Sequence, residues 1–184
     1  MSTSVPAFRP SPAPGRSTYT DASPMVSTRT HTEAARVPWY VWCGVLAVTS
    51  SNIGGAWDVA WHRSIGRDSF LTPAHIAIYA CGVLAAIICG YLIFATTFGN
   101  SPARKAVSVQ VLGFRAPLGA FIAAWGGIAM LTSAPFDNWW HAAYGLDVKI
   151  VSPPHTLLIL GIRAVGIGVL FLILASMNLS LIHI

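Results

Sequence analysis

Two stretches of the chain, residues 57–75 and 136–155, carry the same arrangement of ionisable side chains. Each has an aspartate, a histidine four residues later and a second histidine 13 or 14 residues after the first. The residues are Asp58, His62 and His75 in the first stretch, and Asp137, His141 and His155 in the second. Residues four apart share a helix face, so each Asp/His pair can point at one spot. Two imidazoles and one carboxylate suit a transition-metal ion with one position left open, so the spacing predicts two metal sites.

The repetition favours a shared function over chance. The chain has six acidic residues and six histidines, and four of each fall inside these two stretches. Asp68 and Asp147 follow in the turns, where each could be a fourth ligand or accept an imidazole N–H from behind the metal. A single residue of this kind is more often an interfacial anchor or a helix cap. A further alternative needs no metal: the Asp/His pairs would form hydrogen bonds that hold each hairpin together. The ligand types fit copper, iron or zinc, and fit haem less well, because haem needs no carboxylates.

The elements that must position these residues are membrane helices. The 184 residues are 54% hydrophobic and only 9% charged, with a mean hydropathy of +0.62. A bilayer core needs about 20 apolar helical residues, and four stretches meet or approach that length. They are residues 39–61, 74–98, 118–140 and 155–177. We therefore predict an all-α integral membrane helical bundle over residues 38–178, built as two parallel helix-hairpin repeats, 39–98 and 118–177.

Charge predicts the orientation of this bundle in the lipid bilayer. Most Lys and Arg residues lie in residues 1–37 and in the 99–117 loop, which flank apolar spans, so both segments should be cytoplasmic. The Asp/His motifs then lie at the extracytoplasmic side of a bacterial inner membrane. The same distribution argues against nucleic-acid binding, because the basic residues form no single stripe. Residues 1–37 are rich in Ser, Thr, Pro and Arg and should be a disordered tail.

Local signals refine this prediction. Thr72 and Ser152 precede prolines and should cap the two return helices. Glycines within the spans should let the helices approach closely. Arg163 lies inside the fourth span, and we expect it to pair with an acid or a carbonyl of a neighbouring helix; the alternative is that it faces a partner subunit. Residues 179–184 follow the last span without a stop signal; we expect them to be a non-native end and the chain to be a fragment.

The motifs resemble the C subunit of the copper membrane monooxygenases, the family of particulate methane monooxygenase and ammonia monooxygenase. One copper site of that subunit is an Asp, a His four later and a His 13 further on, as in Asp58, His62 and His75. The flanking Trp61-His62 and Arg67-Asp68 pairs and the segment 72–75, TPAH, are also similar to the family.

The family's second copper site is an Asn, a His four later and a His 14 further on. Asp137, His141 and His155 meet that spacing, with Asp in place of the Asn of the methane enzymes. The additional negative charge should strengthen cation binding. The likeness covers about residues 40–177, and the short tail does not supply the family's extra N-terminal helical structure.

The resemblance implies a copper-binding subunit that acts with A and B subunits to hydroxylate a small substrate, such as ammonia or a short hydrocarbon, with O₂. Alone, the chain is not expected to be active as an enzyme. The alternative is a stand-alone integral membrane protein for copper storage, transfer or sensing. A transporter fits less well, because its ion site should lie near the bilayer midplane on broken helices.

Overall fold

The chain forms a bundle of long helices. The structure is a computed structural model that describes residues 37–66, 69–145 and 152–182, with side chains as far as residue 178. Its elements in chain order are α1 (Trp39–Ser64), α2 (Pro73–Phe98), α3 (Pro102–Ala106), β1 (Val109–Val111), β2 (Phe114–Ala116), α4 (Leu118–Tyr144) and α5 (Pro153–Ile182). Each predicted span lies inside one long helix. The predicted disordered tail falls outside the described residues except for Val37, and residues 179–182 of the expected non-native end continue α5.

In the part of the chain that the structure describes, three helices are long and apolar enough to cross a membrane: α2, α4 and residues 153–178 of α5. Large apolar side chains also lie exposed around the bundle, as a lipid-facing surface requires, for example Trp42, Ile87, Phe94 and Trp125. These observations confirm the all-α class and support a membrane location. Helix α1 is not among the three candidate spans, because its middle carries the polar run 49–52 and its end carries Asp58, His62 and Arg63.

The long helices pack as a ring. Helix α1 packs against α2, α2 against α4 and α4 against α5, and α1 also contacts α5. The interior contains small and medium apolar residues, among them Ala47, Cys81, Met130 and Val165. This arrangement brings the end of α1, the start of α2, the end of α4 and the start of α5 together at one end of the bundle.

Glycines set the separation between neighbouring helices. A Cβ atom on Gly126 would lie 2.7 Å from the main-chain O of Gly161, so α4 and α5 approach with almost no side chain between them. A Cβ atom on Gly54 would lie 2.9 Å from the main-chain N of Ile78 and 3.0 Å from the O of Ala74. Gly54 therefore allows α1 to lie directly against the first turns of α2, one turn before Asp58.

The connection between α2 and α4 is more ordered than the loop predicted for residues 99–117. Strands β1 and β2 pair antiparallel, with Val111 opposite Phe114. Between them Leu112 (φ 50°) and Gly113 (φ 86°) take left-handed conformations, as a two-residue hairpin turn requires. The main-chain N–H of Arg115 donates to Oγ1 of Thr97 at 2.8 Å and ties the hairpin to α2. Strands of three residues are too short to leave a periodic signal in the sequence.

The two return helices begin where predicted but differ in their caps. Oγ of Ser152 accepts from the main-chain N–H of His155 at 3.4 Å, which confirms the Ser152 cap. Thr72 is the N-cap residue of α2, yet it makes no side-chain capping bond. Its Oγ1 is buried and has no hydrogen-bond partner among the described residues. The predicted side-chain cap at Thr72 is therefore wrong, and Pro73, which has no N–H, starts the helix instead.

Candidate metal site

All six predicted ligands lie at the end of the bundle where the four long helices meet. In each hairpin the Asp/His pair lies near the C-terminal end of the first helix, and the second histidine lies in the first turn of the next helix. Helix α1 carries Asp58 and His62, α2 carries His75, α4 carries Asp137 and His141, and α5 carries His155. The turn residues Asp68 and Asp147 lie outside the described residues, so their expected roles behind the ligands stay predictions.

The second triad is the more compact of the two. Nε2 of His141 lies 3.4 Å from Oδ2 of Asp137, and Nε2 of His155 lies 3.7 Å from Oδ1 of the same carboxylate. One ligand atom from each residue lies within 4.8 Å of the others, and among the described residues no other group of three meets this criterion. Tetrahedral ligands at bond lengths of about 2.0–2.1 Å lie about 3.4 Å apart, so only small movements separate this arrangement from a metal site.

The first triad is more open. Nε2 of His75 lies 3.2 Å from Oδ1 of Asp58. His62 instead presents Nδ1 to the same oxygen, at 3.7 Å, and this Nδ1 also lies 2.9 Å from the main-chain O of Asp58. The His62 side chain is 45% exposed, against 16% for His75. A different His62 rotamer would be needed to bring its Nε2 to the carboxylate.

Hydrogen bonds to Nδ1 decide which histidine nitrogen can bind a cation. Nδ1 of His75 lies 3.0 Å from the main-chain O of Ser69, and Nδ1 of His141 lies 3.3 Å from that of Gly145. A carbonyl oxygen only accepts, so each Nδ1 carries the proton. In a neutral ring Nε2 then presents a lone pair to a carboxylate oxygen, and two acceptors face each other. Such a contact is stable with a proton on Nε2, which gives an imidazolium, or with a metal ion between the two atoms.

His155 has a comparable support. Its Nδ1 lies 2.7 Å from Oγ of Ser152, while its Nε2 points to Asp137. A hydroxyl that accepts from Nδ1–H leaves Nε2 free as a metal ligand. From the sequence, Ser152 is predicted only to cap α5. The signal for its second role was its position three residues before the histidine, on the same side of the first helical turn.

The two triads face a common space, which their spacing in the sequence does not predict. A cavity of about 30 Å³ is lined by one aspartate or histidine from each long helix: Asp58, His75, Asp137 and His155. An adjoining cavity of about 70 Å³ is lined by His75, Asp137 and His141. Oδ1 of both aspartates is shielded from solvent. Space of this size holds an ion or a few waters, and its lining is acidic and imidazole-rich.

The donor set fits a metal ion: partly buried carboxylates, imidazoles with their Nδ1 atoms held, and Nε2 atoms directed inward. Without a metal ion, the two Oδ1 atoms that are shielded from solvent would need protonated histidines to balance their negative charge. Comparisons of the chain with protein families, with characterised proteins and with solved structures give no match.

Proposed function

We propose that this chain is an integral membrane protein that binds a transition-metal ion, with copper as the favoured metal. The observation that carries the proposal is the orientation of His75, His141 and His155. Each has Nδ1 beside an oxygen atom, a carbonyl for His75 and His141 and the Ser152 hydroxyl for His155, and Nε2 within 3.2–3.7 Å of a carboxylate oxygen. This is the arrangement in which an outer hydrogen bond orients a metal-binding imidazole.

The second triad is the stronger candidate for the first ion bound. Asp137, His141 and His155 would supply three ligands and leave a position for water or substrate. Asp58, His62 and His75 would form the second site once His62 turns. Copper is favoured over iron and zinc because it stands highest in the affinity order for nitrogen and oxygen ligands, and because the spacings resemble a copper family.

The resemblance extends the proposal to catalysis. We infer that the chain is the C-like subunit of a methane or ammonia monooxygenase-like complex that works with A and B subunits. The ion would supply O₂ chemistry for hydroxylation of a small substrate. The chain's own residues would hold the ion, and the apolar helices around the cavity would limit access of water. This part of the proposal rests on the motif spacings.

The membrane arrangement belongs to the same proposal. Helix α1 would be a fourth span, because it exposes Trp42, Leu46 and Ile53 on its outer side. Arg104 and Lys105 of α3 and Arg115 of β2 follow the end of α2 that is opposite His75. Their charge supports a cytoplasmic β1–β2 hairpin and an extracytoplasmic metal site. The two hairpins would then be parallel repeats in a bacterial inner membrane.

A stand-alone role in copper storage, transfer or sensing is the second candidate. It needs only the metal ligands that the described residues bring together. It shares the metal site and differs only in lacking oxygenase partners.

Copper content of the purified, full-length protein tests the metal proposal. Asp137→Ala and His141→Ala should each lose the copper bound at the second triad. Asn138→Ala is the matched control, since Asn138 neighbours Asp137 and lines the adjoining cavity without belonging to the triad. Equal copper in all variants contradicts the proposal.

The oxygenase step needs a separate experiment. Native membranes should yield the chain together with two further membrane subunits and should oxidise ammonia or a short alkane with O₂. Copper binding without such partners or activity supports the stand-alone role.

A further inference from the structure

Arg163 places a positive charge near the middle of the most apolar part of the chain. It lies ten residues after Pro153, the first residue of α5. At 1.5 Å per residue this is about 15 Å along the helix, half of a hydrocarbon core of about 30 Å. The side chain is exposed on the outside of the bundle. A helix that crosses a membrane would therefore hold this guanidinium against lipid or against another protein.

The bundle itself does not compensate this charge. Within residues 37–66, 69–145 and 152–178, Arg163 makes no hydrogen bond, ion pair or ring contact. The expected pairing with a neighbouring helix is therefore wrong for this part of the chain. The acidic residues of these ranges, Asp58 and Asp137, both face histidines at the end of the bundle.

Lipid headgroups are out of reach for this side chain. An extended arginine spans roughly 7 Å, which is about half the distance to the start of α5. An uncompensated charge at this depth is costly, and such residues almost always face a protein interior or pair with another group.

The surface around Arg163 has the shape of a helix-packing face. Together with Arg163, exposed apolar residues follow α5 at alternating intervals of three and four, which is the spacing of one helical side. They are Leu160, Ile167, Leu170, Leu174 and Met177. Gly166 lies one turn after Arg163, and a Cβ atom there would meet nothing within 4 Å. This open glycine leaves room for a second backbone to approach.

We propose that this face of α5 docks a transmembrane helix of another protein, and that the docked helix carries an Asp or Glu at the depth of Arg163. A carboxylate is the group that neutralises a guanidinium with two parallel hydrogen bonds. A second copy of this chain does not supply one, because no acidic residue of the described spans lies at that depth. The inference requires α5 to cross a membrane and requires neither the bound metal nor oxygenase chemistry.

Photo-crosslinking in the source membranes tests this surface. A benzophenone side chain replaces Ile167, one turn beyond Arg163, and Ile87 on the exposed side of α2 is the matched control position. The expected adduct forms from position 167 only. Its peptide, identified by mass spectrometry, is a membrane helix of another protein with Asp or Glu within about one turn of the crosslink.

Variants of Arg163 then test the charge. Arg163→Leu should reduce the adduct roughly tenfold, and Arg163→Lys should retain most of it. Arg163→Asp combined with the reverse change in the partner's acid should restore it. Copper content and thermal stability of Arg163→Leu should match wild type, which separates this result from the metal proposal and from misfolding.

Four results would overturn the inference. They are an adduct with a second copy of the chain, an adduct with a helix that lacks an acid, adducts with lipid alone, and an adduct whose yield does not change in Arg163→Leu.

Discussion

Nε2 of His75 lies 3.2 Å from Oδ1 of Asp58, across the junction between α1 and α2, while Nδ1 of the same ring is held by the main-chain O of Ser69. This contact is stable with either a proton or a metal ion on Nε2. The two occupants therefore compete, and the competition gives the first prediction.

Acidification should release the metal. Imidazole must be neutral to bind an ion, and in acid the carboxylate–imidazolium pair replaces the metal-bound pair. We expect the copper retained after dialysis to fall steadily as pH decreases, while helix content measured by circular dichroism stays unchanged. Copper loss that only accompanies unfolding would contradict a competition at the histidines.

The two triads should differ in affinity. His141 already directs Nε2 towards its carboxylate, whereas His62 presents Nδ1 and is 45% exposed. At limiting copper, His141→Ala should lower occupancy strongly, by roughly tenfold or more, and His62→Ala should have a smaller effect. Titration against a chelator of known affinity measures both. The reverse order would mean that the first triad fills first.

Ser152 should contribute to metal affinity without being a ligand. Ser152→Ala removes the group 2.7 Å from Nδ1 of His155. Loss of such a support lowers metal affinity by about 10–100-fold, and loss of the cap costs about 1 kcal/mol of stability. Ser176→Ala is the control, because its hydroxyl bonds only the main-chain O of Ile173 in the same helix. Similar affinities for the two variants would assign Ser152 to capping alone.

Gly54 should be intolerant of a side chain, and its neighbour Gly55 should not. A Cβ atom on Gly54 would meet Cγ1 of Ile78 at 2.8 Å, but one on Gly55 would meet nothing within 4 Å. Gly54→Ala should destabilise the protein by about 1–3 kcal/mol through overpacking. Gly55→Ala should stabilise it by up to about 1 kcal/mol, because alanine favours a helix. Thermal unfolding in detergent compares the two variants, and equal melting temperatures would contradict the close α1–α2 contact.

Cysteine labelling should show whether α1 crosses the membrane. Cysteines at Val37, Ser69 and Leu112, introduced singly after Cys43→Ser, report the start of α1, the site end and the hairpin turn. With four spans, an impermeant maleimide should reach positions 37 and 112 from the cytoplasmic side and position 69 from the other side. Labelling of position 37 together with position 69 would reduce the bundle to three spans.

The sequence predicted the long helices well, because each apolar stretch is longer than a strand and is bounded by proline, glycine or charge. It also predicted which residues begin the return helices. It did not predict the β1–β2 hairpin, since Val109–Val111 and Phe114–Ala116 are too short for a periodic pattern. The Thr72 cap shows a further limit: a residue type suited to capping still needs the right rotamer.

For the site, spacing was sufficient to bring Asp137, His141 and His155 together. Two of these residues are four apart on one helix and the third begins the next helix, so their relative positions can vary little. Spacing within one hairpin could not show that Asp58 and Asp137 line the same cavity. That follows from how the two hairpins pack, which depends on glycine contacts between α2 and α4 such as Gly82 with Gly127. The orientation of His62 likewise depends on a hydrogen bond to its own helix.

The shared lining of the cavity has an electrical consequence. With Asp58 and Asp137 both ionised, the space between the four helices carries two negative charges, which either two imidazolium protons or one divalent cation would balance. Loading would then be an electroneutral exchange of two protons for one ion. The voltage across a membrane does no work on such an exchange, so occupancy should follow the proton and metal concentrations on the side to which the site opens.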